Sequence, residues 1–109
     1  MSCIFCSIAS KEIQSNVVYE TDTVIAFDDT NKQAPMHVLV IPKKHMTDML
    51  GLGEILPDVF RAIVEVAKIR NIERSGYRVV VNSGKDAGQA VDHIHFHVLG
   101  GRALKWPPG

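Results

Sequence analysis

Apolar and polar residues alternate strictly over His93-Ile94-His95-Phe96-His97-Val98, close to the end of the chain. A period of two predicts a β-strand, because side chains at i, i+2 and i+4 of a strand leave the same face. His93, His95 and His97 then share one face, while Ile94, Phe96 and Val98 bury the other. At about 3.4 Å of rise per residue, neighbouring histidines of the set start ~7 Å apart and the outer two ~14 Å apart. Three rings so spaced cannot serve one reacting atom equally. His95, in the middle, is the natural chemical centre.

The same pattern predicts the rest of the fold. Residues 4–10 read as a short helical turn, and 17–20 and 24–27 as strands joined by Thr21-Asp22-Thr23 in a hairpin. Residues 28–35 are polar and carry a proline, so they form a loop. A β-branched run over 37–42, halted by Pro42, gives a central strand. The best helix spans 57–74: proline suits its first turn, Leu56, Phe60, Ile63, Val64 and Ala67 recur at helical spacing, and Ser75-Gly76 stops it. A strand over 77–82 and a glycine-bearing loop over 83–89 then lead to the histidines. The class is α+β: five strands in a mainly antiparallel sheet, one long helix and a short N-terminal one.

A chain of 109 residues suits a single domain over 1–109 with one core. Its 46% hydrophobic and 22% charged residues are ordinary for a soluble globular protein. The formal net charge of zero gives no reason to expect nucleic acid as partner, and Lys43-Lys44 reads as a solvated strand end. No apolar run is long enough to cross a bilayer and no secretory signal stands at the start, so the expected location is cytoplasmic.

A lone strand histidine is usually just solvated or hydrogen-bonded. Three in alternation, opposite three apolar residues, cluster titratable rings in the way functional sites do. The two cysteines, Cys3 and Cys6, are spaced C-x-x-C. In a reducing compartment a structural disulfide is disfavoured, which leaves redox chemistry, metal binding or neither. Two thiols do not complete a zinc site, and further ligands would have to come from the histidines at 37, 45, 93, 95 and 97.

His93-Ile94-His95-Phe96-His97-Val98-Leu99 resembles the signature of the histidine-triad (HIT) superfamily, three histidines separated by single hydrophobic residues. Gln33-Ala34-Pro35, Val40-Ile41-Pro42-Lys43-Lys44-His45 and the terminal Trp106-Pro107-Pro108-Gly109 are similar to its HINT branch, the histidine-triad nucleotide-binding proteins. The resemblance covers nearly the whole chain. It implies a HIT-like fold, with the sheet continued across a homodimer, that binds purine nucleoside monophosphates. The implied reaction is hydrolysis of nucleoside 5′-phosphoramidates such as AMP joined to an amine.

By that resemblance, His95 is the nucleophile, oriented by the backbone carbonyl of His93, while His97 and His37 face the phosphate oxygens. Asn82 helps hold the phosphate end, and Asp29 accepts from the ribose hydroxyls. Phe5, Ile8, Phe27, Thr30 and Leu39 line the purine pocket, although Phe5, Phe27 and Leu39 each also read as ordinary core. In the loop Gly88-Gln89-Ala90-Val91, Gly88 and Gln89 allow backbone donors to approach a phosphate. Ala90 stands where HINT sequences commonly have serine, which removes a hydroxyl from the leaving-group step. Relatives that carry zinc imply a structural Cys3, Cys6, His45 and His93 set. Trp106 is implied to cross the dimer and line the partner's site. The alternatives are a non-catalytic nucleotide-binding interaction module and a dinucleoside polyphosphate hydrolase.

Overall fold

A computed structural model describes residues 3–109. Helix α1 (Ile4–Ala9) leads into strands β1 (Val17–Glu20), β2 (Val24–Asp28) and β3 (Met36–Pro42). Two short 3-10 turns precede helix α2 (Leu56–Ile69), after which β4 (Tyr77–Val81) and β5 (Phe96–Gly100) complete a sheet of order β1-β2-β3-β5-β4. Every neighbouring pair is antiparallel. The expected α+β architecture is the observed one.

The sheet has two covered faces. Val24 and Ala26 of β2, Met36, Val38 and Val40 of β3, and Ile94, Phe96 and Val98 pack with Val59, Ala62, Ile63, Val66 and Ala67 of α2. The opposite parity, Ile25, Phe27, Leu39 and Ile41, packs with Phe5 and Ile8 of α1. His37 follows this second parity on β3, and so do the triad positions. The strand period therefore sorts apolar side chains toward α2 and histidines toward α1.

Three expectations need correction. The triad strand was expected from His93, but β5 starts at Phe96. Continued two pairs further, the register Leu39↔His97 and Val40↔Phe96 would bring Pro42 opposite Ile94, and proline has no N–H for the ladder. Ile94 N–H donates instead to the Met46 carbonyl at 2.7 Å. Helix α2 stops at Ile69 rather than Arg74. Asn71 takes a left-handed conformation, φ 59°, and Ile72 N–H reaches back to the Ala67 carbonyl at 3.0 Å, so asparagine supplies the C-terminal stop expected of glycine. The helix face is only partly the expected one: Ile63 and Ala67 are buried, but Phe60 and Val64 are 55% and 43% exposed, and Val59, Ala62 and Val66 are buried in their stead. The helix carries two adjacent apolar stripes, and the one of smaller side chains lets it lie close to the sheet.

Among the described residues no helix is long and apolar enough to cross a membrane.

Candidate functional site

The face that carries the histidines is hollowed into a cavity of about 610 Å³, a size suited to a small-molecule ligand. Its apolar wall comes from α1 (Phe5, Ile8), β2 (Phe27), β3 (Leu39) and Val91, and its polar end from Asp29, Thr30, His95 and His97. Phe5 is the hub of the wall. Its ring meets Phe27 edge-on at 5.7 Å and His95 at 5.1 Å.

Hydrogen bonds to backbone groups decide which nitrogen of each imidazole carries its proton. His95 is 4% exposed, and its Nδ1 lies 2.9 Å from the His93 carbonyl. A carbonyl only accepts, so Nδ1 bears a hydrogen, and in the neutral ring Nε2 is the lone-pair nitrogen. His93 Nε2 likewise donates to the Pro42 carbonyl at 2.8 Å, which leaves Nδ1 as the lone-pair nitrogen. His37 is set the other way. The Gln33 backbone N–H donates to its Nδ1 at 3.1 Å, so Nε2–H points to His97 Nδ1 at 2.9 Å. His97 is then left with Nε2–H as its donor.

The cross-strand register makes this possible. His37 pairs with Leu99 and Leu39 with His97, so the two rings are diagonal neighbours on one face of adjacent strands. Burial pushes His37 below the ordinary histidine range, with the Asp29 carboxylate opposing. His97 is lowered to about 4 by burial and by His95 and His37 beside it, again against Asp29. Both rings are therefore neutral at pH 7. Asp29, His37 and His97 bring ligand atoms close enough for a cation, but the nitrogen His37 would offer is the protonated one. His37 and His97 are instead a hydrogen-bonded pair with the Asp29 carboxylate beside it.

Asp29 fixes one carboxylate oxygen on the Asn31 backbone N–H at 2.8 Å and places the other 3.4 Å from His37 Nε2. Ala90 lines the cavity; Asn82, Gly88, Gln89 and Trp106 do not. Gln89 is used as a staple: its amide accepts from Gly84 N–H at 2.8 Å and donates to the Val91 carbonyl at 3.0 Å and to that of Thr47. Gly88 caps a further short 3-10 turn, Lys85–Ala87, in a left-handed conformation. Asn82 sits just past β4, half-buried, and Trp106 is 79% exposed. Val91 completes the apolar wall and was missed by sequence reading; its place beside Ala90 was the available signal.

Beside the cavity, Cys3, Cys6, His45 and His93 bring four donor atoms within 4.8 Å of one another. The Sγ-to-Nδ1 separations are 3.4 Å for Cys3–His93, 3.3 Å for Cys6–His45 and 3.6 Å for Cys6–His93. A tetrahedral zinc with ordinary bond lengths holds sulfur and nitrogen about 3.5 Å apart. The Pro42 carbonyl supplies the outer hydrogen bond that orients a ligating imidazole. The residues fit a closed Cys₂His₂ metal set.

The fold and this site define a histidine-triad protein. The model of the HIT domain matches residues 10–104, and the chain belongs to the HIT family. It is 48% identical to a 14 kDa zinc-binding protein of Zea mays, across 97% of this chain and 87% of that protein. Among solved structures it resembles a HIT family hydrolase from Legionella pneumophila Philadelphia 1, with TM-score 0.94, 41% identity, and coverage of 99% and 100% of the two chains. It also resembles a histidine triad nucleotide-binding protein from Candida albicans, with TM-score 0.86, 34% identity, and coverage of 97% and 83%.

Proposed function

We propose that this is a HINT-type phosphoramidase, a single HIT domain that binds a purine nucleoside monophosphate and hydrolyses its P–N bond to an amine. One observation carries the reading. The His93 carbonyl fixes the Nδ1–H of His95 at the wall of the cavity, so that Nε2 is the lone-pair nitrogen of the neutral ring. A neutral imidazole so oriented is a nucleophile. The apolar wall suits a purine, and the Asp29 carboxylate suits a ribose diol. The names of the Legionella hydrolase and the Candida nucleotide-binding protein agree with this chemistry.

In the first step Nε2 of His95 bonds to phosphorus. The P–N bond breaks with its electron pair going to the amine nitrogen, which takes a proton from water. His97 Nε2–H, fixed through His37, donates to the phosphoryl oxygens as their charge develops. In the second step water attacks phosphorus and its proton neutralises the hydroxide left by the first, while the P–Nε2 bond returns its electrons to the ring and AMP leaves. One water is consumed in all.

Zinc belongs to this reading as a structural ion on Cys3, Cys6, His45 and His93, where it would cross-link α1 to the segment before β5. The Zea mays relative's name supports that assignment. A homodimer belongs to it as well. Strand β4 is a sheet edge, and beside it Phe60, Ile63, Val64, Tyr77 and Val79 line an apolar hollow of about 270 Å³. A two-fold pairing of β4 edges would cover both. It would also give the exposed Trp106 a surface to reach.

The test is a fluorogenic AMP–amine substrate given to wild type and His95→Asn. The variant should lose at least about 10³-fold in kcat while still binding AMP, and the wild type should show a nucleotidyl adduct on His95. Comparable turnover by the two proteins ends the enzymatic reading. AMP binding without turnover by either favours a binding module instead.

A further inference from the structure

We infer that Arg102 is a positioning residue for the His37–His97 pair, acting through the backbone of Gln33. The inference rests on His97 being the donor that faces phosphate. Arg102 Nη2 donates to the Gln33 carbonyl at 2.9 Å. The N–H of the same residue donates to His37 Nδ1, and His37 Nε2–H donates to His97 Nδ1. One exposed guanidinium thus holds the residue that decides the tautomers of two imidazoles.

The approach is built into the end of β5. Gly101 has φ +92°, and a Cβ there would lie 2.9 Å from Pro35 Cβ. The chain can therefore turn against the loop that carries Gln33 only with glycine at this point, and the turn delivers Arg102 to the carbonyl. Arg102 does not line the cavity.

If Gln33 moves away, His37 is free to carry its proton on Nδ1. Its Nε2 lone pair then faces the lone pair of His97 Nδ1. His97 relieves this by protonating Nδ1, which turns its Nε2 from a donor into an acceptor aimed at phosphoryl oxygens. A repulsive contact replaces a stabilising one in the transition state, with no change in the purine wall or the ribose contact.

The experiment is nitrogen-15 NMR of histidine-labelled protein, with kinetics, on wild type, Arg102→Ala and Arg102→Lys. Wild type should carry hydrogen on Nε2 of both His37 and His97. Arg102→Ala should show mixed tautomers at both and lose about 3- to 10-fold in kcat, the worth of one such hydrogen bond. Its KM should rise less than kcat falls, since the purine wall and the ribose contact are untouched. Lysine, still a donor to the carbonyl, should restore most of both. Unchanged tautomers in Arg102→Ala, or a loss in AMP affinity with kcat intact, overturns the inference. Because the tautomers are read without substrate, a wild type that turns nothing over would sink the proposed reaction and leave this test standing.

Discussion

The His93 carbonyl accepts from Nδ1 of His95 at 2.9 Å, while the His93 ring turns its own Nδ1 toward the thiols of Cys3 and Cys6. A single residue thus joins the metal set to the proposed nucleophile. Phe5 strengthens the link, because it stands between the two cysteines in sequence and its ring contacts both His93 and His95.

Removing the metal set should therefore damage ligand binding as well as stability. Cys6→Ser is expected to abolish stoichiometric zinc, lower Tm by more than about 10 °C, and weaken AMP binding on the order of 10-fold as α1 loosens. Elemental analysis, thermal denaturation and calorimetric titration with AMP check this. Less than about a tenth of an equivalent of zinc in wild type purified without chelators removes the metal assignment.

Ala90 lines the cavity with no side-chain donor. Ala90→Ser should raise kcat on AMP–amine substrates about 3- to 10-fold, the worth of one added hydrogen bond to the leaving group or phosphate. Stopped-flow measurement of amine release separates that step from hydrolysis of the adduct. A faster second step with an unchanged first would count against this placement.

The lowered His37 and His97 make stability depend on pH in a definite direction. In the unfolded chain both titrate near about 6.5, whereas in the fold both stay neutral further down. As pH falls from 6.5 toward about 5, the unfolded state binds more protons and is favoured, so stability declines. Urea denaturation across this window, in zinc-replete buffer, should show a steeper slope for wild type than for a His37→Gln, His97→Asn double variant. Equal slopes contradict the assignment.

The apolar stripe beside β4 should be the self-association surface. Val79→Asp and Phe60→Glu each place a charge there, at positions 40% and 55% exposed in the single chain. Each is expected to shift the light-scattering mass from dimer to monomer without unfolding the chain. A wild type that is monomeric at 100 μM, a generous concentration for an interface of standard size, ends the proposal.

Deleting residues 104–109 removes Trp106, whose ring lies 6.0 Å from the Arg78 guanidinium. The fold should survive, since the tail contributes no buried residue. The ratios of kcat/KM across a series of amine leaving groups should change by severalfold, an aromatic contact being worth about 1 kcal/mol. Identical ratios would leave the tail without a role in specificity.

Apolar and β-branched runs between turn residues were enough for the sheet, and alternation alone sorted Ile94, Phe96 and Val98 away from the histidines and put His95 in the middle of their row. The motifs named the remaining site candidates, and the structure brings Phe5, Ile8, Phe27, Asp29, Thr30, Leu39, His95 and His97 around one cavity. What alternation could not supply is anything set by local backbone conformation or by a partner outside the strand. Pro42 ends the triad strand early, Asn71 ends α2 early, and Gln89 spends its amide on Gly84, Thr47 and Val91. The imidazole tautomers belong to the same group. The Pro42 carbonyl that sets His93 lies 51 residues away along the chain, and the carbonyl of His93 and the N–H of Gln33, though only two and four residues from the rings they meet, are aimed at them by the backbone conformation of the folded chain.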